Sequence, residues 1–342
     1  MKAIHRIIDR ARADPQRIAL CEAEDPRVLL AAQRAIAEGV AHPILVGDRH
    51  RITASADDAS VDLRGITLFD PEGAEFAEPF AEELFRLREA KGMSRGTAAT
   101  EVRKPLCFAN MLVRMGHADG SVSGAEHTTA DVVRSAIQLI GLDPACKLVS
   151  SFFIMMLCEP FHTVKGGVIF TDCGLVIDPD DCQLAEIAMA GADSASTLLL
   201  EEPRVAMLSF STSGSAHHPA VDKVVRATEM VRQRRPALAI DGDVQLDAAI
   251  VAEIAAKKIA HSQVQGHANV LVFPSLEAGN IGYKLAERVG GAKAIGPLLQ
   301  GLRKPANDLS RGCSADDVFH VIAVTVVQAQ AAKRLASIEV SL

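Results

Sequence analysis

The sequence predicts an α/β protein, and three observations carry that expectation. Short apolar runs alternate with stretches whose apolar residues recur at helical spacing, the rhythm of βαβ units around mostly parallel sheets. The chain has 342 residues, longer than one hydrophobic core ordinarily serves, and 49% of them are hydrophobic, which supplies two cores. No internal repeat, low-complexity segment or flexible linker interrupts the alternation.

The elements follow in order. Ala3, Ile4, Ile7, Ile8 and Ala11 share one helical face over residues 3–12, and Ile18, Ala19 and Leu20 form the first strand. A helix over about 26–38 leads to a strand at Pro43, Ile44, Leu45 and Val46. Residues 77–91 read as a charged helix that stops at Gly92, and another helix runs from Thr129 to Gly141. From about 147 the register changes: an apolar run to Leu157, a strand at Val168, Ile169 and Phe170, a helix near 181–200, and a strand from Val205 to Phe210. Further strands are expected near 237–240, 269–273 and 293–295, and a last helix over about 315–336. Boundaries between two lobes fall near 145 and 301.

Composition narrows the function. Net charge is −7, no long basic run is present, and twelve Phe, one Tyr and no Trp give no base-stacking surface, so nucleic acid is not an expected partner. The seven cysteines at 21, 107, 146, 158, 173, 182 and 313 are scattered without a Cys-x-x-Cys pair or zinc spacing, so reduced thiols and no metal are expected. The amphipathic start Met1-Lys2-Ala3-Ile4-His5-Arg6 lacks an apolar signal core, and no apolar run approaches membrane length. A cytoplasmic protein with no membrane partner is the expectation.

The stretch from Lys304 to Asp317 is the most informative. Ser310 and Arg311 offer donors, Gly312 admits close backbone approach, and the free N–H groups of the following helix favour an anion. The same residues also fit a helix start, with Ser314 as N-cap and Asp317 completing a capping box. Elsewhere, Asp241-Gly242-Asp243 reads better as a turn and helix cap than as a cation loop, because the remaining ligands of such a loop are missing.

The run Asn307-Asp308-Leu309-Ser310-Arg311-Gly312-Cys313-Ser314 with Asp317 resembles the C-terminal signature of phosphate acetyltransferases. Leu271 to Pro274, Gly279 to Ile281, Tyr283 to Leu285 and Ala294 to Pro297 resemble the preceding block of that family, Val205 to Thr212 another, and Ala118 to Gly120 with Val122 to Ala125, Thr129 to Asp131 and Arg134 a third. The resemblance runs along nearly the whole chain in one order. It implies two α/β lobes with mostly parallel sheets, residues 1–144 plus 302–342 in the first and 145–301 in the second, with an active-site cleft between them as in isocitrate and isopropylmalate dehydrogenases. It implies a homodimer, and a reversible reaction in which acetyl-CoA and phosphate give acetyl phosphate and coenzyme A. Coenzyme A is then a substrate, and no further cofactor is required.

The family chemistry needs a cationic phosphate clamp, a proton acceptor near the thiol and donors for a tetrahedral oxyanion. Asp317 matches the proposed base, although free carboxyl and thiol values of about 3.9 and 8.5 put complete transfer roughly 6 kcal/mol uphill. Arg311 matches the signature arginine that favours thiolate and transition-state charge, and Ser310 matches a hydrogen-bonding serine. Arg134 and Arg88 match the phosphate arginines, each otherwise a solvated helix charge. Thr128 and Thr129, with His127, could donate near them, and Glu126, where an apolar residue is usual, is expected to point away. Ser211 and Thr212 resemble a cleft-lining loop. Cys313 is placed at the substrate turn, where its thiol pKa could be lowered, but as a bystander.

Three other functions fit parts of the pattern. A related acetyl-CoA-sensing domain ends certain malic enzymes, a butyryl-preferring transferase would share the signature, and a dehydrogenase would share the architecture while lacking a dinucleotide fingerprint here.

Overall fold

A computed structural model describes residues 2–162 and 164–339. The chain divides into two compact units, one containing residues 6–143 and 302–342 and the other residues 144–301 with the first five residues. The opening turn of the first helix therefore groups with the middle of the chain, where the expected first lobe began at residue 1.

The discontinuous unit is built on β1 (Gln16–Leu20), β2 (Ala41–Val46), β3 (Thr67–Phe69), β4 (Gly120–Ser123) and β11 (Ala306–Asp308). Their spatial order is β11-β4-β1-β2-β3, and every pairing is parallel. A parallel sheet is covered on both faces. Here α2 (Pro26–Ala37) packs on α13 (Ala315–Glu339) and on β2, while α6 (Pro105–Arg114) packs on α7 (Thr129–Leu139) and on β1, β2 and β4. Alternation along the strands divides the core accordingly: Ala19, Ile44 and Val46 cluster with Phe108, Met111 and Leu112 of α6, and the intervening Ile18, Leu20 and Leu45 point to the opposite face. Around that cluster the unit completes its helices with α3 (Arg49–Asp58), α4 (Ala77–Arg88) and α5 (Arg95–Glu101), and α1 (Lys2–Ala13) leads into it.

Three of these strands were not expected: the short β3, β4 and β11. β4 reads Gly-Ser-Val-Ser and β11 reads Ala-Asn-Asp, so neither shows an apolar run, yet both are buried. Helix side chains meet two of their polar residues: Ser121 Oγ donates to Asn110 Oδ1 on α6 at 2.8 Å, and Asn307 Nδ2 donates to Thr325 Oγ1 and Gln328 Oε1 on α13 at 2.8 and 2.7 Å. The stretch read as one turn from Lys304 is therefore a strand followed by a turn.

The other unit holds β5 (Ser150–Leu157), β6 (Gly166–Thr171), β7 (Arg204–Leu208), β8 (Ala239–Val244), β9 (Val270–Val272) and β10 (Lys293–Gln300), in the order β10-β5-β6-β9-β7-β8. β5 runs antiparallel to both neighbours, and the remaining pairs are parallel. α8 (Asp181–Leu199) lies on β6 and β9 and against α9 (Pro219–Arg234), and the unit also contains α10 (Leu246–Ile250), α11 (Ala252–Lys258) and α12 (Leu276–Arg288). Asp241-Gly242-Asp243 lies inside β8 instead of forming the expected turn. Asp241 accepts hydrogen bonds from Ser262 Oγ and the Gln263 amide, which accounts for a buried carboxylate there without a cation.

The α6 cluster is the discontinuous unit's main apolar support, with Phe108 fully buried at 5.1 Å from the Phe80 ring centroid. Phe108→Ala is expected to lower that unit's unfolding free energy by about 3–5 kcal/mol, read from denaturant unfolding; a loss below ~1 kcal/mol would mean the cluster collapses around the gap.

Candidate active site

The register places the carboxyl ends of β1, β4 and β11 side by side, with Leu20 opposite Val122 and Asp308 opposite Ser123. Loops at these ends are where open parallel sheets hold ligands. The chain leaving β1 begins with Cys21-Glu22, and Glu22 organises its neighbour. Its Oε2 accepts the amides of Gly124 and Ala125, both at 2.8 Å, and its Oε1 accepts those of Glu126 and His127 at 2.9 and 2.8 Å. His127 Nδ1 lies 2.8 Å from the same Oε1. Burial disfavours the Glu22 anion, but these bonds outweigh burial and hold its carboxyl below the usual range. The His127 amide is therefore consumed inside the protein and is not free for a substrate, contrary to the expectation of backbone donors at that point.

Arg27, in the first turn of α2, fastens the loops after β4 and β11 together. Its Nη1 donates to the carbonyls of Arg311 and Cys313 at 2.7 and 3.1 Å, and its Nη2 to the carbonyl of Ala125 at 3.0 Å. Asp25, the N-cap of α2, holds the guanidinium in turn, with Asp25 Oδ2 2.6 Å from Nη2. The planar fork of arginine suits this, because one cation reaches three carbonyls in a fixed geometry.

The turn so held carries the signature residues. Ser310 is exposed, with its Oγ 3.4 Å from the Gly312 amide, and the Arg311 guanidinium is exposed with no hydrogen-bonding or ionic partner among the described residues. Asp317 does form the cap: its Oδ2 accepts the Ser314 amide at 2.9 Å and the Ser314 hydroxyl at 2.7 Å. Cys313 departs from expectation. It is 8% exposed, and burial pushes its thiol up despite Arg27 nearby, so the turn does not activate it.

Arg88 and Arg134 meet in one cavity of about 310 Å³, lined also by His127, Lys104, Asp131 and Ser135 among others. Arg134 is exposed and pairs with Asp131 at 3.0 Å, as residues three apart on a helix do, whereas Arg88 has no acidic partner among the described residues. Lys104 is held by Glu101 at 2.5 Å. Of the two threonines, Thr128 caps α7, its hydroxyl donating to Asp131 Oδ2 at 2.7 Å, and Thr129 Oγ1 donates to Asp308 Oδ2 at 2.6 Å. Both hydroxyl protons are thus already committed. Glu126 is exposed, its amide turned inward to Glu22.

Ser211 and Thr212 belong to the other unit and are buried there. Ser211 Oγ accepts the Ala216 amide at 3.1 Å, and Thr212 Oγ1 exchanges hydrogen bonds with Gln245, so both hydroxyls shape their own loop.

Glu22 and Arg27 went unnoticed in the sequence, and Asp308 was read only as part of the signature run, without a role of its own. The available signal was the burst Glu22-Ala23-Glu24-Asp25-Pro26-Arg27 immediately after an apolar strand, where a loop at a strand's carboxyl end meets a helix start. Asp308 gives the clearest electrostatic consequence. Its Oδ1 is buried without a hydrogen-bond partner, and Gly124, at φ +113°, leaves room for it: a Cβ there would stand 2.2 Å from Oδ1 and 2.6 Å from the Leu309 nitrogen. Burial raises the Asp308 carboxyl to about 7, against the hydrogen bond from Thr129.

A carboxyl raised on folding binds a proton more tightly in the native state, so stability falls as pH climbs from its unfolded value of about 4 to its folded value of about 7 and stays low above it. Asp308→Asn removes this contribution. Denaturant midpoints measured at pH 5 and pH 8 should show the variant gaining on the parent at the higher pH, by roughly 2–4 kcal/mol; parallel pH dependence of the two proteins would mean the carboxyl does not titrate in that window. Gly124→Ala, which forces backbone and carboxylate apart, should lower the thermal midpoint at either pH.

Comparison with known proteins places these features. A family model described as Phosphate acetyl/butaryl transferase matches residues 2–326. A phosphate acetyltransferase of Clostridium acetobutylicum is 48% identical over 330 residues, spanning 96% of this chain and 99% of that one. Another, from Paracoccus denitrificans, is 48% identical over 328 residues with the same coverage of 96% and 99%. Among solved structures, a phosphotransacetylase from Streptococcus pyogenes matches with a TM-score of 0.90 at 40% identity, over 96% of this chain and 98% of that chain. A phosphotransacetylase from Staphylococcus aureus matches with a TM-score of 0.88, also at 40% identity and over 96% and 98% of the two chains. Full-length identity of this order, with the α/β fold and the signature turn intact, means that the chain belongs to the phosphate acetyl/butaryl transferase family.

Proposed function

We propose that this protein is a phosphate acetyltransferase that moves an acetyl group reversibly between coenzyme A and inorganic phosphate, and that its own residues divide the work as follows. Arg88 and Arg134 bind the phosphate side. Asp317 takes the proton of the coenzyme A thiol as sulfur attacks the carbonyl carbon of acetyl phosphate. Arg311 stabilises the thiolate and the charge that builds on the tetrahedral oxygen, and Ser310 donates a hydrogen bond there. Phosphate then leaves, and the acetyl group stays on sulfur. Every step is redox-neutral acyl transfer, so the scheme contains no redox cofactor.

The observation that carries this reading is two guanidiniums in one cavity, on the unit that also bears Ser310 and Arg311 in the turn after β11 and Asp317 in the first turn of α13. A cavity with two cations suits a dianion, and the unpartnered guanidiniums of Arg88 and Arg311 have hydrogen-bonding capacity to give. Cap and base are compatible roles for Asp317, because capping uses Oδ2. Arg27 belongs to the positioning of the turn. Within the family, acetyl is favoured over butyryl as substrate by the similarity to phosphate acetyltransferases.

The reading extends to assembly and compartment. A homodimer is supported by α12, whose Ile281 and Leu285 are 60% and 55% exposed one turn apart, with Val289 beyond at 80%. A cytoplasmic enzyme is supported by seven free cysteines, the state a reducing compartment maintains. Among the described residues, no helix is long and apolar enough to cross a membrane.

Phosphate-dependent loss of the acetyl-CoA thioester tests the reaction, with propionyl- and butyryl-CoA as competitors. The acetyl thioester should give the highest kcat/KM, and an absence of turnover despite acetyl-CoA binding would overturn the assignment. Asp317→Asn keeps a capping oxygen but removes the base, so kcat should drop by about 10²–10⁴ while coenzyme A still binds. Turnover at the parent's level would leave Asp317 with its cap alone.

A further inference from the structure

Resting on that functional reading, we infer that Asp308 is a positioning residue of the reaction, its buried side chain fastening the turn that carries Ser310 and Arg311 to the loop after β4. Three contacts define the fastening. Asp308 ends β11 opposite Ser123, the last residue of β4, and is 0% exposed. Its Oδ2 accepts the hydroxyl of Thr129, the first residue of α7, at 2.6 Å. Its Oδ1 meets no donor among the described residues and lies against Gly124, where a Cβ would stand 2.2 Å from it and 2.8 Å from the Leu309 carbonyl oxygen. One side chain thus touches the loop after β4 and the start of α7, two residues before Ser310.

A neutral acid suits this place and an anion does not. A buried carboxylate needs donors, and Oδ1 has none. Burial, with repulsion from Glu22, outweighs the Thr129 hydroxyl and the Leu309 amide and raises the carboxyl to about 7. Other titratable groups stand on every element packed here. Cys21 and Glu22 follow β1, Arg27 opens α2, Glu126 and His127 lie on the loop after β4, and α7 brings Asp131. The turn itself holds Arg311 and Cys313, and α13 brings Asp317 and the buried His320. Arg27 sits between the two loops, but its donors go to Asp25 and to the carbonyls of Ala125, Arg311 and Cys313. Ionisation of Asp308 therefore draws in water or moves a donor, and either one parts Gly124 from Leu309. That displaces Ser310 and Arg311, and a misplacement of about 1 Å at a reacting group costs on the order of 10²-fold in rate. The neutral acid keeps the turn in place below about pH 7, and the placement is lost as pH rises past that value.

Phosphate-dependent acetyl transfer from acetyl-CoA, measured at saturating substrates between pH 6 and 8.5, tests this. Asp308→Asn keeps the shape of the neutral acid and cannot ionise, so the ratio of its kcat to the parent's should climb by about threefold or more across that range, centred near pH 7. Asp308→Ala removes the contacts with Thr129 and Gly124. Its kcat at pH 6 should lie about tenfold or more below that of Asp308→Asn, with KM for acetyl-CoA within about twofold of the parent's. A packing role alone would lower the thermal midpoint and leave the kcat ratios independent of pH. Where Asp308→Ala does not fold, the parent carries the test. Infrared difference spectra between parent and Asp308→Asn should show a protonated carboxyl stretch at pH 6 that fades as pH rises through about 7. A constant ratio of kcat values, or a carboxyl band already absent at pH 6, would overturn the inference and leave the acetyltransferase reading intact; a parent without turnover would sink that reading instead.

Discussion

The carboxylate of Glu22, closed inside a ring of four consecutive amides and one imidazole, is the interaction on which the rest of the site depends. An ionised carboxylate taken out of water is costly unless its lone pairs are occupied, and five donors occupy them. The consequence is a loop with one conformation. Residues 124–127 must turn their amides toward one point, and that fixes where α7 starts and hence where Arg134 stands on it. A loop that could carry an anion from solvent carries an internal one instead, and cationic side chains are left to meet the substrate.

The same unit builds two adjoining buried strands, one of them at the sheet's edge, from polar residues. β4 and β11 bury Ser121, Ser123, Asn307 and Asp308 where an ordinary parallel sheet would place Val or Ile. Asn110, Thr325 and Gln328 meet them from the covering helices. Such a network fixes register more strictly than apolar packing does, since a shift of one residue would leave each buried polar group unpaired. The register in question sets the turn after β11 beside the loop after β4, and Arg27 then ties the two by their carbonyls.

Electrostatics divides the site into a balanced part and an open part. Arg134 with Asp131 and Lys104 with Glu101 are paired surface charges, worth little to stability. Arg88 and Arg311 have no such partner among the described residues, and an unpaired cation retains its full capacity for an incoming anion. Cys313 and Asp308, close in sequence to Arg311, are both held toward their neutral forms by burial. The exposed Arg311 guanidinium is the cation that this turn presents to solvent, an arrangement that favours an anionic substrate at the surface.

The sequence by itself determined the α/β class, the helix and strand positions wherever apolar periodicity was strong, and the turn at 310–314 with its capped helix. Those features rest on local information: side-chain period, caps and glycine. Arg88 and Arg134 could be named by likeness to the family, but only folding brings them from separate helices to one cavity. The tertiary structure alone decided that Ser-rich and Asn-bearing segments are core strands, because their polar groups find partners more than ten residues away. It alone decided that the donors of 124–127 are spent on Glu22, more than a hundred residues earlier, and that Cys313 is buried and inert. Hydrogen-bond satisfaction and desolvation depend on which distant groups arrive at the same point, and no local pattern encodes that arrival.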